Sequence, residues 1–582
     1  MTSMIERPPG ITTAPMPARA RARWRPASAG QALVWFAVVA LVLGPFFPLV
    51  YSSLRSKPIY LPGGTFTLGA YRTLFADPLF WAAVRNTVSF ALGTTGLAVI
   101  GGTALAILCA RTNLPGRQAY RLLLIAPIVI PPLGLIVGWL SIYGQGGYLT
   151  QVVSRNLHLP VWNLSSIPGM SLIGAVITIP VVYLTVQAAL AGTDSSLEDA
   201  ARSAGAGPWR VITRVTLPML RPAMLNCTLL IFALCLEILG IPLFLGTPAN
   251  IDFYASYLYR SWSSGANPDP AFVSAGAILL LAVVSCLLIL RARLAGSEQR
   301  FIAAGARGDG AYRPLNLGRW RWPASIGLGA YIGITCVIPL LGLVLMSCVK
   351  ALTTLVAPWH LFTAEAWHMV AADPTLRRSI TNSLLIAGLG GAATVLLVAA
   401  ATLIAHRSGF GLRQTLAPAL IYPRAVPGVI LGIGFFWTYL MFTPGALVRN
   451  NLWGEAIALC VRNLTLAYVV IYPSLARINA EFDRAARSSG AGWWTIARRI
   501  LLPILRPALL AAFVLMFITL LGDYDPVVFL QKPGTEVLGV TMLQTWQRGV
   551  IGPVAALAVV QVAIVAIVLL LGARVLRRLR RA

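Results

Sequence analysis

Three carboxylates stand in stretches otherwise apolar enough to sit in hydrocarbon. They are Glu237, in Leu-Glu-Ile-Leu-Gly-Ile-Pro, and Asp523 and Asp525, in Gly-Asp-Tyr-Asp-Pro. An acid at the centre of a bilayer costs at least about 2.5 kcal/mol, so such residues face a bundle interior or a water-filled path. Tyr524 lies between the two aspartates, and Arg424, between Pro423 and Pro427, is read as the basic residue inside a span. These five are the candidate lining of a translocation path. The alternative is that the acids pair with Arg424 as a gate or packing contact. An acid-rich lining would suit a cationic cargo. Other chemistry has little to work with. A phosphate-binding loop needs Gly-Lys-Ser/Thr, and none of Lys57, Lys350 and Lys532 follows a glycine or precedes Ser or Thr. No Ser/His/Asp or paired-carboxylate arrangement marks a hydrolase. The seven cysteines and four histidines lack metal-ligand spacing, so no metal site is expected and this chain is expected to bind no cofactor.

A second set of residues occurs twice. Glu198-Asp-Ala-Ala-Arg-Ser-Ala-Gly-Ala-Gly-Pro-Trp runs on to Leu217-Pro218-Met-Leu-Arg-Pro-Ala. Asp483-Arg-Ala-Ala-Arg-Ser-Ser-Gly-Ala-Gly-Trp-Trp runs on to Leu502-Pro503-Ile-Leu-Arg-Pro-Ala, and the two align without a gap. Ser195 and Glu198 can form a capping box that starts a short helix, and Asn479 is the expected cap in the second copy. Ala200 and Ala201, like Ala485 and Ala486, favour helix and keep its surface small. Gly205 and Gly207, like Gly490 and Gly492, then break it at a tight turn. Pro208 suits the first position of a following helix, expected to end before Pro218, or before Pro503 in the second copy. A small-faced helix–turn–helix suits insertion into a cleft on another protein. One copy alone could be an interfacial helix anchoring a loop; two matched copies point to two equivalent partner subunits.

The elements that position these residues follow from composition. Apolar residues make up 57% of the chain and charged ones 11%, and mean hydropathy is +0.77. Soluble domains are nearer 25% charged. Apolar runs of about 20 residues, each able to cross the hydrocarbon, recur at 33–54, 84–109, 120–143, 168–190, 222–245 and 272–291. They recur again at 324–349, 379–404, 415–440, 454–475, 507–530 and 553–573. The fold expected is an all-α polytopic membrane protein of about twelve transmembrane helices in two parallel six-helix repeats. Residues 1–32 form an Arg/Pro-rich tail, 33–291 the first half, 292–323 a linker that need not be ordered, 324–573 the second half and 574–582 a basic tail. The net charge of +28 reflects arginines gathered in alternate loops, which is topology rather than a nucleic-acid surface. With Arg19, Arg21, Arg23 and Arg25 before the first run read as a signal-anchor, both termini, the linker and both repeated islands fall on the cytoplasmic side. Opposite loops carry Trp81, Trp162, Trp262, Trp359 and Trp367, suited to a headgroup belt or to a docking rim for an external partner.

The island pattern resembles the EAA loop of binding-protein-dependent ABC importer permeases, and two such six-helix halves in one chain resemble the ferric-iron type. The resemblance covers about 33–573; Asp483 in place of a glutamate is a mild departure. It implies a type I permease fold in a bacterial inner membrane. It implies two ABC ATPase subunits that use ATP and Mg²⁺ and are gripped by 194–221 and 479–506. A periplasmic or lipid-anchored binding protein would deliver cargo. Ferric iron stands first as cargo; a polyamine, thiamine or a phosphonate are alternatives. A secondary transporter driven by an ion gradient is the alternative of another class, although the loop 110–121 lacks the pattern typical of major facilitators.

Overall fold

Prolines and glycines decide where the apolar runs bend. The computed structural model describes residues 29–305 and 314–579, apart from 159–160, 194–195, 264–268, 351–352, 355, 357–359, 443–446 and 480. The N-terminal tail 1–28 and Arg580 and Arg581 therefore lie outside the described residues, as do Ser195 and Trp359. Nine helices among the described residues are long and apolar enough to cross a membrane, or up to twelve if each of three bent pairs is one span. In the first half these are α1 (Ala29–Ser53), α2 (Pro78–Arg111), α3 (Arg117–Ile128 with Pro132–Asn156), α4 (Ile167–Gly192), α5 (Pro208–Met219 with Arg221–Glu237) and α6 (Pro270–Leu294). The second half repeats the plan as α7 (Gly318–Ser347), α8 (Pro374–Arg407), α9 (Arg413–Ala425 with Gly428–Met441), α10 (Leu452–Ala476), α11 (Trp493–Gly522) and α12 (Ile551–Leu579).

Three expectations about continuity are corrected. The third run of each half is not one straight helix: α3 bends by 100° and α9 by 111°. Pro131 and Pro427 sit at the breaks with ψ of 129° and 137°, and each frees carbonyls that a bundle interior can satisfy. The fifth runs stop early, at Glu237 and Gly522, where Ile238 and Asp523 turn to extended backbone. Conversely, Pro503 does not end the helix that follows its island, whereas the first copy's helix stops at Met219, one residue past Pro218, before a 63° bend into Arg221–Glu237. A π-helical turn at Ile212–Thr216, and another at Ala497–Leu501, precedes a fresh α segment with its proline in the first turn. There the missing N–H breaks no hydrogen bond.

Each half lends its first span to the other. α1 packs against α9 as well as its own α6, and α7 packs against α3 as well as its own α12. Two glycines at matched places permit this. A Cβ on Gly138 would lie 2.4 Å from the Pro339 carbonyl oxygen of α7, and one on Gly434 would lie 2.8 Å from that of Pro45 in α1. Indole N–H groups bond beside both contacts, Trp139 donating to the Thr335 carbonyl of α7 at 3.1 Å and Trp437 to Ser274 Oγ of α6 at 3.0 Å, which in turn lies 3.3 Å from Ser52 Oγ of α1. Trp262, expected at a headgroup belt or a docking rim, packs edge-on to Phe436, Trp437 and Phe529 across the halves.

The linker is more structured than expected. Helix continues from α6 to Gly305, and Leu315 then pairs with the loop after α2, its N–H donating to the Arg111 carbonyl at 2.8 Å. Asn113 N–H donates in turn to the Leu315 carbonyl at 3.1 Å, and Asn113 Nδ2 donates to Asn316 at 2.9 Å.

Candidate functional site

Three sites emerge, one at each island and one between the halves. At the first island a short helix, Ser196–Ser203, ends in a left-handed glycine, Gly205, with φ of +80°. Gly205 N–H donates to the Arg202 carbonyl and Ala206 N–H reaches back to that of Ala201 at 3.0 Å, a Schellman closure. The second island repeats this with Glu481–Ser488, Gly490 at φ +80° and Ala491 N–H on the Ala486 carbonyl at 3.0 Å. Asn479 caps that helix as expected, its Oδ1 accepting from Glu481 N–H at 3.1 Å. Gly207 and Gly492 lead into Pro208 and Trp493, which open α5 and α11. Ala200, Ala485, Gly205, Gly207, Gly490 and Gly492 are exposed, while Ala201, Ala486, Leu217, Pro218, Leu502 and Pro503 are half-buried. Leu197, Trp209, Phe482 and Trp494 add large apolar side chains to the exposed surface.

The acids of the islands do not belong to that surface. Glu198 is 1% exposed and Asp483 5%. Each turns inward onto an arginine that ends the second span of its half. Arg111 Nε lies 3.3 Å from Glu198 Oε1, and Arg407 Nη1 lies 3.1 Å from Asp483 Oδ2. Both arginines also donate to the last turn of the fourth span, Arg111 to the Leu190 carbonyl at 3.0 Å and Arg407 to that of Leu475 at 3.1 Å. Thr216 Oγ1 completes the first clamp by donating to Glu198 at 3.0 Å, so α2, α4, the island helix and α5 meet at one carboxylate. Buried charges persist when paired and hydrogen-bonded. Arg111 and Arg407 were missed in the sequence; the signal was present, since each is the basic residue closing the second apolar run.

Between the halves lies a cavity of about 490 Å³. It is lined by Asp523, Tyr524, Asp525 and Arg424, four of the five expected path residues, together with Arg462. Among the described residues Arg424 forms no ion pair with the acids, and it is not the base buried inside a span. Arg462 of α10 holds that place: Nη1 lies 2.7 Å from Asp523 Oδ1 and 2.8 Å from Asp525 Oδ2, and Nη2 lies 3.9 Å from Glu237 Oε2. Asn463 Nδ2 donates to the other Asp523 oxygen at 2.9 Å. Glu237 comes from the first half and the aspartates from the second, so one guanidinium joins both. Its seat requires Gly428, where a Cβ would stand 2.4 Å from Arg462 Nη1. Tyr524 is buried with its hydroxyl against Gly240 of the first half, 2.3 Å from where a Cβ would stand. Arg424 sits at the bend of α9, is exposed, and has no carboxylate within 4 Å among the described residues.

Comparison with known proteins follows the same twofold plan. The family model described as "Binding-protein-dependent transport system inner membrane component" matches residues 102–298 and again 369–581, more than two thirds of the chain. Over 87% of this chain and 79% of its own length, the "Putative ferric transport system permease protein FbpB 1" of Haemophilus influenzae is 23% identical. The "Putative 2-aminoethylphosphonate transport system permease protein PhnV" of Salmonella paratyphi A is 30% identical over 31% of this chain and 67% of its own. A solved bacterial alginate ABC transporter, in complex with a pentasaccharide-bound periplasmic protein, aligns with TM-score 0.36 and 16% identity, over 44% of this chain and 93% of the matched one.

Proposed function

Since the chain belongs to the family of inner membrane components of binding-protein-dependent transport systems, we propose that its two halves form one import path worked by two copies of a separate ABC ATPase. That family is one of non-enzymatic membrane subunits, and ATP and Mg²⁺ belong to the partner in this reading. The single observation that carries it is the duplicated clamp, Arg111–Glu198 and Arg407–Asp483. A force applied to either island helix reaches the second and fourth spans of that half through a buried ion pair rather than through a flexible loop. The exposed alanines and glycines, with Trp209 and Phe482 beside them, give each ATPase a surface of small residues flanked by apolar anchors. ATPase closure then shifts the population between inward- and outward-facing arrangements by binding one better than the other.

The islands and both termini face the cytoplasm in this proposal, as the arginine distribution favours, and an extracytoplasmic binding protein delivers cargo at the opposite face. Ferric iron is the proposed cargo, supported by likeness over most of the chain to permeases named for ferric transport. A phosphonate is the second reading, favoured by the likeness to PhnV. The test is uptake into proteoliposomes holding the chain, its ATPase and its binding protein. ATP-dependent entry of radioiron is expected; entry driven by an ion gradient with the ATPase left out would replace this reading with a secondary transporter.

A further inference from the structure

The central cavity is lined in matched pairs whose members differ in chemistry. The repeated Pro-x-x-x-Pro segments set Arg424 opposite Ile128 in the other half. The gapless alignment of the islands sets Arg462 opposite Ile177, Asp523 opposite Ile238 and Asp525 opposite Gly240. The backbone agrees with this register: Leu190 and Leu475 accept from the paired arginines, and Ile238 and Asp523 are both the extended residue that ends a fifth span. All eight line the same cavity. Where the second half presents two guanidinium groups and two carboxylates, the first presents isoleucine and glycine, extended by Ile130, Ile136 and Ile241. Twofold architecture thus encloses a space whose charged lining comes from the second half alone, beside Leu466, Leu515 and Ile518 of that half, while the wall from the first half is apolar.

The charged wall is largely spent on itself. Asp523, Asp525 and Glu237 converge on Arg462 at 2.7, 2.8 and 3.9 Å. No group of three His, Cys, Asp or Glu among the described residues is arranged to hold a metal ion. A bare trivalent cation would compete with a guanidinium for those acids and gain nothing from the isoleucines. Arg424 is the contrasting group, exposed and with no carboxylate within 4 Å among the described residues. A guanidinium offers a planar fork of donors that matches a carboxylate or phosphonate, and a space of about 490 Å³ suits a small molecule.

Resting on the permease reading above, we infer that cargo crosses this cavity as a small organic oxyanion, either free or as the ligand shell of a ferric ion. Its carboxylate or phosphonate meets Arg424, and its carbon skeleton meets the wall of Ile128, Ile177 and Ile238. Where iron is the cargo, it enters with its organic ligand.

The test uses proteoliposomes of the unaltered chain with its ATPase and binding protein. One arm supplies radioiron as a complex with radiocarbon-labelled citrate; the other supplies radiocarbon-labelled 2-aminoethylphosphonate. Joint entry of iron and citrate carbon in a fixed ratio supports the inference. Entry of the phosphonate with iron excluded also supports it, while refuting ferric iron as cargo. Iron entering without citrate carbon overturns it. Arg424→Gln is expected to lower oxyanion uptake by roughly ten-fold or more, with Arg424→Lys intermediate. Wild-type uptake by an assembled Arg424→Gln complex would overturn the inference too. The dual-label arm needs no substitution and decides the matter even if that variant fails to assemble.

Discussion

The Arg407 guanidinium lies 3.1 Å from the Asp483 carboxylate, and its other nitrogen holds the Leu475 carbonyl, so the ends of α8 and α10 and the second island helix share one ion pair. Arg111 and Glu198 do the same in the first half. Both side-chain pairs are nearly excluded from solvent, which makes them expensive to break singly.

Removing one partner of a buried pair strands the other charge, at a cost of about 3 kcal/mol or more. Arg407→Met alone is therefore expected to lower the Tm of the purified chain sharply, and Asp483→Leu alone to do the same. The double variant should recover most of the loss in Tm while ATP-dependent uptake stays impaired. A thermal-denaturation cycle paired with an uptake assay separates these effects. Additive losses in Tm would show that the two side chains are not energetically coupled.

Gly205 and Gly490 both hold φ of +80°, and nothing lies within 4 Å of a Cβ built on either. Any penalty at these positions is backbone strain, about 1–2 kcal/mol for an L side chain, plus whatever a partner subunit meets. Replacing both with valine should abolish ATP-dependent uptake while the chain still inserts and purifies as a monodisperse species. Asn, which tolerates the left-handed region, should retain part of the activity. Full transport by the double valine variant would remove the coupling role of these turns.

Gly428 leaves no room for a methyl group, because a Cβ would stand 2.4 Å from Arg462 Nη1 and 2.6 Å from Asp525 Cβ. Gly428→Ala should displace the guanidinium and cost about 1–3 kcal/mol, read as a lower Tm and reduced uptake. Gly388→Ala is the matched control, since nothing lies within 4 Å of a Cβ there. Equal behaviour of the two variants would mean that the Arg462 cluster tolerates rearrangement.

A methyl group at Gly240 would collide with the Tyr524 hydroxyl at 2.3 Å. Gly240→Ala is expected to destabilise the contact between the halves, by about 1–3 kcal/mol, and Tyr524→Phe to relieve part of that loss. Thermal denaturation of the two single variants and the double variant checks it. A double variant no better than Gly240→Ala would place the clash elsewhere.

Much of this architecture is legible in the sequence because a bilayer demands it: every span must be apolar and about 20 residues long, and Gly205 and Gly490 announce their turns. The breaks in α3 and α9 were hidden because a proline in a transmembrane run is compatible with a continuous helix when neighbours satisfy the freed carbonyls. The inward pairing of Glu198 and Asp483 was hidden for a related reason. The acids lie in the first turn of a short polar helix, where a capping or dipole role is equally natural, and only the arginines at 111 and 407 fix which way they point. Arg462 lies within the run read as a span, yet its aspartates are about 60 residues further along the chain, just past the end of a different helix, a pairing no local pattern contains. Arg424, flanked by two prolines, drew attention to the right cavity for the wrong partnership.

The exchange of α1 and α7 limits how the bundle can move. Each half is embraced by a strut that belongs to its neighbour, anchored where Gly138 meets Pro339 and Gly434 meets Pro45. Pulling the halves straight apart would tear both struts loose together, whereas a scissor-like pivot about them leaves their footings intact. The molecule is thus mechanically biased toward rocking rather than splitting.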